Sequence, residues 1–532
     1  MTEFNNLILA DFFLDQAENN ADFEALTFTT FDGRDDEIRT FGELWDNSQK
    51  LSSELLSRGI KKGQSFAIML RNHPEFIEAM ATASTLGAAC VPIDPRTRGE
   101  KLAYTLNNAE CKGMICADYC IDQVMAVRDK APELEWIIML DNTGEADAIA
   151  GGEESKHCMS MSEILAGPTV TVDRQVTDSQ QPLEIIYTSG TTGDPKGVIL
   201  ANATIAGSTM AGELLQYKEG DRPYTGLSLA HANAQCLTLF PAMGMNLPVV
   251  FSRKFTKSNL WDITRKYQCT VFNLLGGMAT AIYSESPKSD DADNSVRMVL
   301  SAGMPAAIWK KFEERFNVKI VELYAAVDSY GLFINSGDGP IGSFGQMPAG
   351  SEFRIVDDDG NEVPHGETGE LIGRPLERGI QVDYFKNKDA SKKKTAGGWV
   401  RTGDICHRDA DGWFYFDYRK GGGIRHNGDF INPGFVERVL AEHPHINDVF
   451  VYGVPAASGA PGEKDVVAAI VTTAGFSADS VFDFCRRELE SNFVPSYFQV
   501  VGEIPKTASE KPLERILVEK FASDAEGLFR AR

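Results

Sequence analysis

Short apolar runs alternate with helical segments through much of this chain. The run Phe66–Leu70 predicts a strand, Pro74–Leu86 predicts a helix, and Ala88–Ile93 predicts a second strand. Similar strand-like runs follow at Met114–Ala117, Trp136–Leu140, Leu183–Tyr187, Val249–Phe251, Thr270–Phe272, Met298–Leu300 and Ile320–Leu323. Such alternation is typical of an α/β architecture with largely parallel sheets.

The pattern changes at about Gly342, where short strands are separated by glycines, as in GELIGRP and GWFYFDYR. This pattern of short strands and glycines predicts a β-rich subdomain of hairpins or a small barrel over about residues 342–420. The run Gly421-Gly422-Gly423 comes next and predicts a hinge, because glycine lacks the Cβ that restricts backbone rotation. The remainder predicts a small α+β unit with helices and strands at Pro433–His443, Val449–Val454, Val466–Val471 and Ser480–Ser491.

Composition and charge narrow the function classes. The chain has 532 residues, of which 43% are hydrophobic, and its 52 basic and 76 acidic residues give a net charge of -24. That charge excludes a general basic surface for nucleic acid or anionic membranes. Any anionic ligand therefore needs a local cationic site.

The lack of recognisable targeting signals and the cysteine usage together predict a cytoplasmic protein. The start MTEFNNLILADFF lacks a positive n-region, the end LFRAR carries no sorting tag, and no run of about 18 apolar residues predicts a membrane span. The nine cysteines are scattered, and the one cluster, Cys111, Cys116 and Cys120, lacks the CxxC pair of a zinc site. We expect a cytoplasmic monomer or homodimer.

The segment Tyr187–Val198, with the sequence YTSGTTGDPKGV, carries the clearest chemistry. It follows a predicted strand and combines hydroxyl side chains with glycines that let backbone N–H groups approach a polyphosphate. Lys196 supplies a cation. The segment is not a Walker A loop, because its lysine follows a proline and precedes a glycine.

With this motif the chain resembles the adenylate-forming superfamily, specifically the AMP-dependent acyl-CoA ligases. The resemblance also includes Arg39-Thr40-Phe41, Gly366-Glu-Thr-Gly-Glu370, Thr402-Gly-Asp404 and Lys511. It implies an α/β fold with a large N-terminal domain, residues 1–420, made of two αβ subdomains and the β-rich subdomain. It also implies a small mobile α+β C-terminal lid, residues 421–532, with its hinge at Gly421.

The reaction implied by the resemblance uses ATP, Mg²⁺ and CoA. A carboxylic acid and ATP form an acyl-adenylate, and the CoA thiol then displaces AMP while the small domain rotates between the steps. The implied ATP- and AMP-binding residues are Thr188, Ser189, Gly190, Thr191, Thr192, Gly193, Lys196, Ser301, Ala302, Gly303, Tyr324, Asp404 and Arg419. Tyr324 would stack on adenine, and Asp404 would accept hydrogen bonds from the ribose hydroxyls.

Catalytic, acyl-binding and CoA-binding roles are implied in the same way. Lys511, His231 and Lys196 are the expected catalytic residues, and Lys511 would neutralise the two anions brought together during adenylation. The expected acyl-binding residues are His231, Gln235, Gly303, Met304 and Ala326, and the expected CoA-binding residues are Gly428 and Asp429.

The chain departs from the family pattern at Tyr324-Ala325-Ala326-Val327-Asp328. Val327 stands where the family usually has a threonine, and Asp328 stands where it usually has a metal-binding glutamate. Aspartate is shorter than glutamate, and we expect Asp328 to bind Mg²⁺. Glu510 also replaces the usual glycine before Lys511. Two alternatives therefore stay open: an adenylation-impaired homologue that uses preformed acyl-AMP, and a non-catalytic nucleotide-binding protein.

Within the superfamily, His231…Gln235-Cys236 and Val494-Pro495-Ser496-Tyr497 resemble the carnitine/crotonobetaine-CoA ligase branch. Small side chains occupy many expected pocket positions, namely Ala230, Ala232, Ala234, Ala302, Gly303, Ala325 and Ala326. They favour a roomy pocket for a medium-length, branched or alicyclic acid.

Overall fold

The computed structural model describes residues 7–30, 35–141, 158–188, 195–377, 379–380, 382–420, 423–426, 429–457, 464–489, 491–507, 510–523 and 527–531. Its contacts divide the chain into two compact units. The first unit is Met1–Asn273 with Gln381–Lys393, and the second is Leu274–Ile380 with Lys394–Arg532.

The first unit contains two sheets of mainly parallel strands. Its strands are β1 Glu24–Thr29, β2 Glu37–Thr40, β3 Ser65–Met69, β4 Ala89–Pro92, β5 Cys111–Ala117, β6 Trp136–Leu140, β7 Cys158–Ser160, β8 Pro182–Thr188, β9 Lys196–Ala201, β10 Pro223–Thr225, β11 Val249–Ser252 and β12 Val271–Leu275. One sheet has the order β7-β6-β5-β3-β4-β8-β9, and the other includes the order β12-β10-β11-β1-β2. The pairs β8–β9 and β1–β2 are antiparallel.

Helices connect these strands. The α-helices are Leu9–Asn19, Phe41–Ser57, Pro74–Leu86, Gly99–Asn108, Ile121–Met125, Met161–Ala166, Asn202–Gly207, Phe240–Gly244 and Leu260–Lys266. The helix Lys388–Lys394 also lies here, except for its last residue, Lys394, which belongs to the second unit. Short 3₁₀ turns lie at Asp118–Cys120, Arg128–Lys130 and Ser208–Met210, and a π-helical segment spans Ala234–Leu239.

The helix Pro74–Leu86 is buried at each of its positions, including two glutamates. Arg39 makes ion pairs with both of them, at 3.3 Å to Glu75 and 3.1 Å to Glu78. Asn47 also donates to Glu78 over 2.8 Å. Since an unpaired buried carboxylate is costly, Arg39 links β2 to this central helix.

The second unit combines three strands of a mixed sheet, an antiparallel sheet and an α+β C-terminal portion. Its strands are β13 Met298–Ala302, β14 Lys319–Tyr324, β15 Phe333–Asn335, β16 Ser343–Gln346, β17 Ser351–Val356, β18 Gly369–Pro375, β19 Val400–Arg408, β20 Trp413–Arg419, β21 Ile424–His426, β22 Asp429–Ile431, β23 Ile446–Pro455, β24 Lys464–Thr472, β25 Tyr497–Val500 and β26 Leu528–Arg530. Its helices are Gly276–Tyr283, Ala306–Phe316, Pro433–Ala441, Ala478–Glu488 and Glu514–Ser523, with 3₁₀ turns at Ala396–Gly398 and Ser491–Phe493.

Strand pairing in the second unit changes from mixed to antiparallel where the hydrophobic and glycine pattern of the sequence changes. β13 and β14 pair parallel, and β15 pairs antiparallel with β14. The next five strands form an antiparallel sheet with the order β16-β20-β19-β18-β17, and the C-terminal sheet has the order β23-β24-β25-β26. The predicted α/β class, the β-rich subdomain and the α+β unit that follows it are thereby confirmed.

Individual predicted elements agree closely with the structure. The helix Pro74–Leu86 and the strand Trp136–Leu140 have the predicted bounds, and the predicted strand Val466–Val471 lies inside β24. Within the described part of the chain, no helix combines the length and the apolarity that a membrane span requires.

Close packing in the first unit gives a testable prediction at Gly113. This residue lies directly opposite Trp136 in the β5–β6 register, and an ideal Cβ on Gly113 would come within 1.9 Å of the indole ring. We expect Gly113→Ala to displace Trp136 and lower the free energy of unfolding by about 1–3 kcal/mol, as overpacking does. Urea denaturation followed by tryptophan fluorescence measures this.

Gly502→Ala is the matched control for this substitution, because a Cβ there meets nothing within 4 Å. We expect its unfolding midpoint to equal that of the unaltered protein. Equal midpoints for the two alanine variants would contradict the packing argument.

Candidate active site

The phosphate-binding loop predicted from the sequence lies between two antiparallel strands of the first unit, β8 and β9. Ser189, Gly190, Thr191, Thr192 and Gly193 lie outside the described residues, whereas the two ends of the loop are described. Thr188 ends β8 and pairs directly with Lys196, which begins β9. Lys196 is exposed, and its Nζ lies 5.3 Å from the centroid of the Tyr384 ring. The hairpin thus places a hydroxyl and a cation at the two ends of the loop.

His231 lies three residues before the π-helical segment Ala234–Leu239 of the first unit. It is half-buried, and its Nε2 is 4.0 Å from Asp94 Oδ2. π-Helical segments are uncommon and occur often at functional sites. The expected role of His231 beside an acyl carboxylate remains a prediction.

Gln235 is fully buried inside that π-helical segment. Its Nε2 donates to Glu184 Oε1 and to the Leu229 carbonyl, each over 2.8 Å. Burial raises the pKa of Glu184 to about 8, although the Gln235 hydrogen bond opposes this shift. The amide that was predicted to contact the acyl group is therefore tied to a buried carboxyl group and a backbone carbonyl.

The second unit brings together three of the predicted nucleotide-binding residues. Asp404 on β19 and Arg419 on β20 are direct cross-strand partners, and Arg419 Nη1 donates to Asp404 Oδ1. Tyr324, the last residue of β14, donates its hydroxyl to Asp404 Oδ2 over 2.7 Å. We call Tyr324, Asp404 and Arg419 the ribose clamp after the role expected for Asp404, and the nucleotide-binding role of all three residues stays a prediction.

The backbone and neighbouring rings fix the ribose clamp in place. The amide of Asp404 donates to Thr402 Oγ1 over 3.0 Å, and the carboxylate is buried. The Tyr324 ring stacks on Phe344 with 4.6 Å between centroids. Burial, followed by the charge of Asp404, holds the pKa of Tyr324 well above its ordinary value, so its hydroxyl remains a donor.

The predicted turn at Ser301, Ala302, Gly303 and Met304 follows β13. Gly303 has φ +90, a backbone conformation that favours glycine. Its carbonyl oxygen would lie 1.9 Å from a Cβ on Gly276, so the turn packs tightly against the start of the helix Gly276–Tyr283.

A buried glutamate that the sequence reasoning missed holds this turn. Glu322 on β14 is the cross-strand partner of Ser301. Its carboxyl group accepts hydrogen bonds from the Gly303 amide over 2.5 Å and from the Met304 amide over 3.1 and 3.2 Å. Glu322 stands inside an apolar strand run, and its position opposite Ser301 becomes evident only once the β13–β14 register is known.

Asp328, the expected metal ligand, is engaged by a residue that the sequence reasoning did not single out. Its Oδ2 lies 2.8 Å from Lys394 Nζ. Ala326 lies in the same segment and is half-buried, and its carbonyl accepts from the Ser329 amide over 3.0 Å. The tract Lys392-Lys393-Lys394 reads as a solvated charge run, so nothing in the sequence separates its third lysine from the other two.

Lys511 lies on a tight turn near the ribose clamp. The turn is closed by the Thr507 amide, which donates to the Lys511 carbonyl over 2.7 Å, and by the Lys511 amide, which donates to Thr507 Oγ1 over 3.1 Å. Glu510 has φ 58, so this residue holds the left-handed conformation that a glycine would adopt more easily. The replacement of the family glycine therefore adds backbone strain at this turn.

The electrostatic surroundings of Lys511 link it to both aspartates. Its side chain is exposed to solvent, yet partial burial of the ammonium group lowers its pKa, and the charge of Arg419 lowers the pKa further. Asp404 and Asp328 act in the opposite direction. Lys511 thus shares one charged cluster with Arg419 and the two carboxylates.

The predicted CoA-binding residues are described only in part. Gly428 lies outside the described residues, and Asp429 begins β22, where its backbone pairs with His426. Their contribution to CoA binding stays a prediction.

Family comparisons agree with this arrangement. Residues 13–375 match the AMP-binding enzyme family, and residues 436–511 match the C-terminal domain of AMP-binding enzymes. The chain therefore belongs to the AMP-binding enzyme family, which confirms the superfamily predicted from its motifs.

Individual relatives have low sequence identity to this chain. The chain is 26% identical over 489 residues to the crotonobetaine/carnitine–CoA ligase of Salmonella typhimurium, a match that covers 90% of this chain and 92% of the relative. The protein of that name from Salmonella typhi is 27% identical over 470 residues, covering 86% and 89%. The branch predicted from the sequence has the same name as these relatives.

Solved structures share the fold. An anthranilate CoA ligase, AuaEII, in complex with anthranoyl-AMP has a TM-score of 0.85 at 22% identity and covers 98% of each chain. A benzoate CoA ligase from Burkholderia xenovorans LB400 has a TM-score of 0.82 at 20% identity and covers 96% of this chain and 99% of its own. The predicted class, an AMP-forming acyl-CoA ligase, agrees with the family and with these names.

The buried Glu322 gives a pH-dependent prediction. Burial raises its pKa to about 8 from an ordinary 4.5, although both amides favour the charged form. The folded protein therefore retains a proton that the unfolded chain releases between these pH values. The stability contributed by the neutral carboxyl group is complete below about pH 4.5 and is lost as pH rises through 8.

Glu322→Gln tests this because the amide oxygen can still accept from both backbone amides but does not titrate. Relative to this variant, we expect the free energy of unfolding of the unaltered protein to fall by up to about 1.4 kcal/mol per pH unit within that window. Urea denaturation at a series of pH values measures the slope. Glu503→Gln, at an exposed glutamate, is the control, and identical slopes for all three proteins would refute the assignment.

Proposed function

We propose that this protein is an acid–thiol ligase that converts a carboxylic acid, ATP and CoA to acyl-CoA, AMP and pyrophosphate through an acyl-adenylate. The observation that carries the proposal is the charged cluster of the second unit, in which Lys511 lies within electrostatic reach of the ribose clamp and of Asp328. An enzyme that joins a carboxylate to a phosphate needs a cation that offsets the repulsion between these two anions.

In the first half-reaction, a carboxylate oxygen of the acid attacks the α-phosphorus of ATP, and the bond to the bridging oxygen breaks to release pyrophosphate. Asp404 accepts hydrogen bonds from the ribose hydroxyls, while Arg419 keeps the Asp404 carboxylate oriented. Lys511 donates to the acid and to the α-phosphate, which reduces the repulsion between two anions. Lys196 and the loop that begins at Thr188 retain the phosphate-binding role implied by the family motif.

In the second half-reaction, the CoA sulfur attacks the acyl carbon, and AMP leaves with the bonding electrons while the thiol loses its proton. We propose that residues 421–532 turn as a lid about Gly421 between the two steps. This movement would replace Lys511 by the face that carries Gly428 and Asp429. A glycine at the pivot lowers the barrier to backbone rotation.

The acyl substrate is proposed to be a medium-sized or bulky acid. The relatives are named for crotonobetaine and carnitine, and the solved structures include ligases named for anthranilate and benzoate. The small side chains at the expected pocket positions, from Ala230 to Ala326, favour such acids. His231 is proposed to contact the acid's carboxylate.

Cytoplasmic location is proposed on the chemistry of the cysteines. All nine are free thiols, and most of them are buried. Such thiols persist in a reducing compartment.

A second candidate function is a thioligase that takes preformed acyl-AMP. One observation favours it: the carboxylate expected to bind a metal during adenylation, Asp328, is instead paired with Lys394. ATP-dependent release of pyrophosphate separates the two functions, because the thioligase would not produce it.

A panel of carboxylic acids tests the principal proposal. With ATP, Mg²⁺ and CoA present, we expect pyrophosphate release with alicyclic, branched, aromatic or medium-length acids and little with acetate. A coupled pyrophosphate assay and mass spectrometry of the acyl-CoA product measure this. A clear preference for acetate would contradict the pocket argument, and ATP binding without acid-dependent turnover would favour a non-catalytic protein.

The two half-reactions can be separated at Lys511. We expect Lys511→Ala to lower acyl-adenylate formation by about 100-fold or more, because the charge that stabilises the transition state is lost. Thioester formation from supplied acyl-AMP should stay within about threefold of the unaltered rate, since a different face of the lid serves that step.

Lys520→Ala is the control, because Lys520 is exposed on the helix Glu514–Ser523. Its two half-reactions should match those of the unaltered protein. Equal losses in both half-reactions of Lys511→Ala would contradict the proposed exchange of faces.

A further inference from the structure

The ion pair between Asp328 and Lys394 is mostly shielded from solvent. The exposed fractions of the two side chains are 14% and 9%, and the charged atoms are 2.8 Å apart. Lys394 ends the helix Lys388–Lys394, and its neighbours Lys392 and Lys393 are exposed. A surface lysine loses little by staying in water, so the burial of this one alone indicates a specific role for it.

The residues around Asp328 do not fit a protein-bound Mg²⁺. Magnesium requires near-octahedral oxygen ligands, and an ammonium group beside the same carboxylate repels it. Asp328 Oδ2 already pairs with the Lys394 ammonium group, and Asp404, another carboxylate of the charged cluster, is held by Arg419 and Tyr324. In the described ranges, the cluster of three convergent metal-ligand side chains is Glu37, His73 and Glu75, which does not include Asp328.

The same surroundings do fit a phosphate. Among the described residues, three cations, Lys394, Arg419 and Lys511, interact with two carboxylates, Asp328 and Asp404, so cationic groups outnumber anionic ones in this cluster. An ammonium group carries three N–H donors, and one ion pair with Asp328 leaves further donors for phosphate oxygens. Asp328 fixes the position of the ammonium group, so less entropy is lost when a ligand binds.

We propose that Lys394 is a phosphate-binding residue of the ATP site and that Asp328 positions it in place of a metal ion. This inference rests on the proposed function for the identity of the ligand, ATP. Magnesium then enters as the chelate of ATP, as part of the substrate, and Asp328 acts as a positioning residue through Lys394.

Equilibrium binding of ATP and of adenosine, in excess Mg²⁺, tests this inference. We expect Lys394→Met to weaken ATP binding by about tenfold or more, the effect of losing one charged hydrogen bond. Adenosine, which has no phosphate, should bind equally well to the variant and the unaltered protein. Lys394→Arg, which retains the charge, should bind ATP within about threefold of the unaltered protein.

Lys393→Met is the matched control, because it removes the same side chain from the neighbouring exposed position. It should leave both affinities unchanged. Lys394→Gln repeats the test with a second neutral side chain that can still donate to Asp328, and thermal unfolding identifies any variant that fails to fold.

Three results would overturn the inference. If Lys394→Met lowered ATP and adenosine affinity equally, Lys394 would serve only the structure of the site. If neither affinity changed, Lys394 would not contact phosphate. If Lys394→Met bound ATP more tightly than the unaltered protein when the Mg²⁺ concentration is lowered, Asp328 would be a metal ligand that Lys394 blocks.

Failure of the proposed function has a different signature. In that case no acid would give acyl-adenylate with the unaltered protein, while the comparison of ATP with adenosine would still decide the role of Lys394. Conversely, acid-dependent pyrophosphate release together with normal ATP binding by Lys394→Met would retain the function and reject this inference.

Discussion

The carboxylate of Asp404 is buried where β19, β20 and the end of β14 come together. A buried carboxylate is costly unless each oxygen is paired, and here Arg419 serves one oxygen while the Tyr324 hydroxyl serves the other. These bonds connect β14, a strand of the mixed sheet, to the antiparallel sheet of the second unit. The carboxylate therefore fixes the relative position of two sheets as well as the residues of the ribose clamp.

The need to balance charge around this carboxylate explains the cations near it. Arg419 neutralises Asp404, Lys394 neutralises Asp328, and Lys511 is attracted by both aspartates and repelled by Arg419. A chain with a net charge of -24 thus concentrates cations where the proposed anionic ligand binds. The range of this field is about 8 Å at physiological salt, so the local cations outweigh distant acidic side chains.

The sequence predicted those parts of the fold that follow from local pattern. Apolar runs such as Trp136–Leu140 become buried strands because a sheet covered on both faces needs continuous apolar residues. Asp404 and Arg419 could be predicted because each lies in a recognisable family motif. Glu322 and Lys394 could not, because their roles depend on partners distant in sequence, the Gly303 turn and Asp328. Pairing of this kind depends on strand register and side-chain direction, which no local pattern contains.

The position of Lys511 also bears on how the proposed lid would move. Burial and then the charge of Arg419 lower the pKa of the ammonium group, whereas Asp404 and Asp328 act in the opposite direction. Under the proposed function, bound ATP would add negative charge and stabilise Lys511 in this position. When pyrophosphate leaves, much of that charge leaves with it, while Arg419 and Lys394 stay. In the proposed lid movement, this loss of negative charge would weaken the hold on the turn that carries Lys511, a turn whose strained Glu510 backbone would also gain from relaxation. On the proposed mechanism, chemistry at the α-phosphate would thus change the electrostatic balance that holds the lid, and the release of pyrophosphate would favour the second half-reaction.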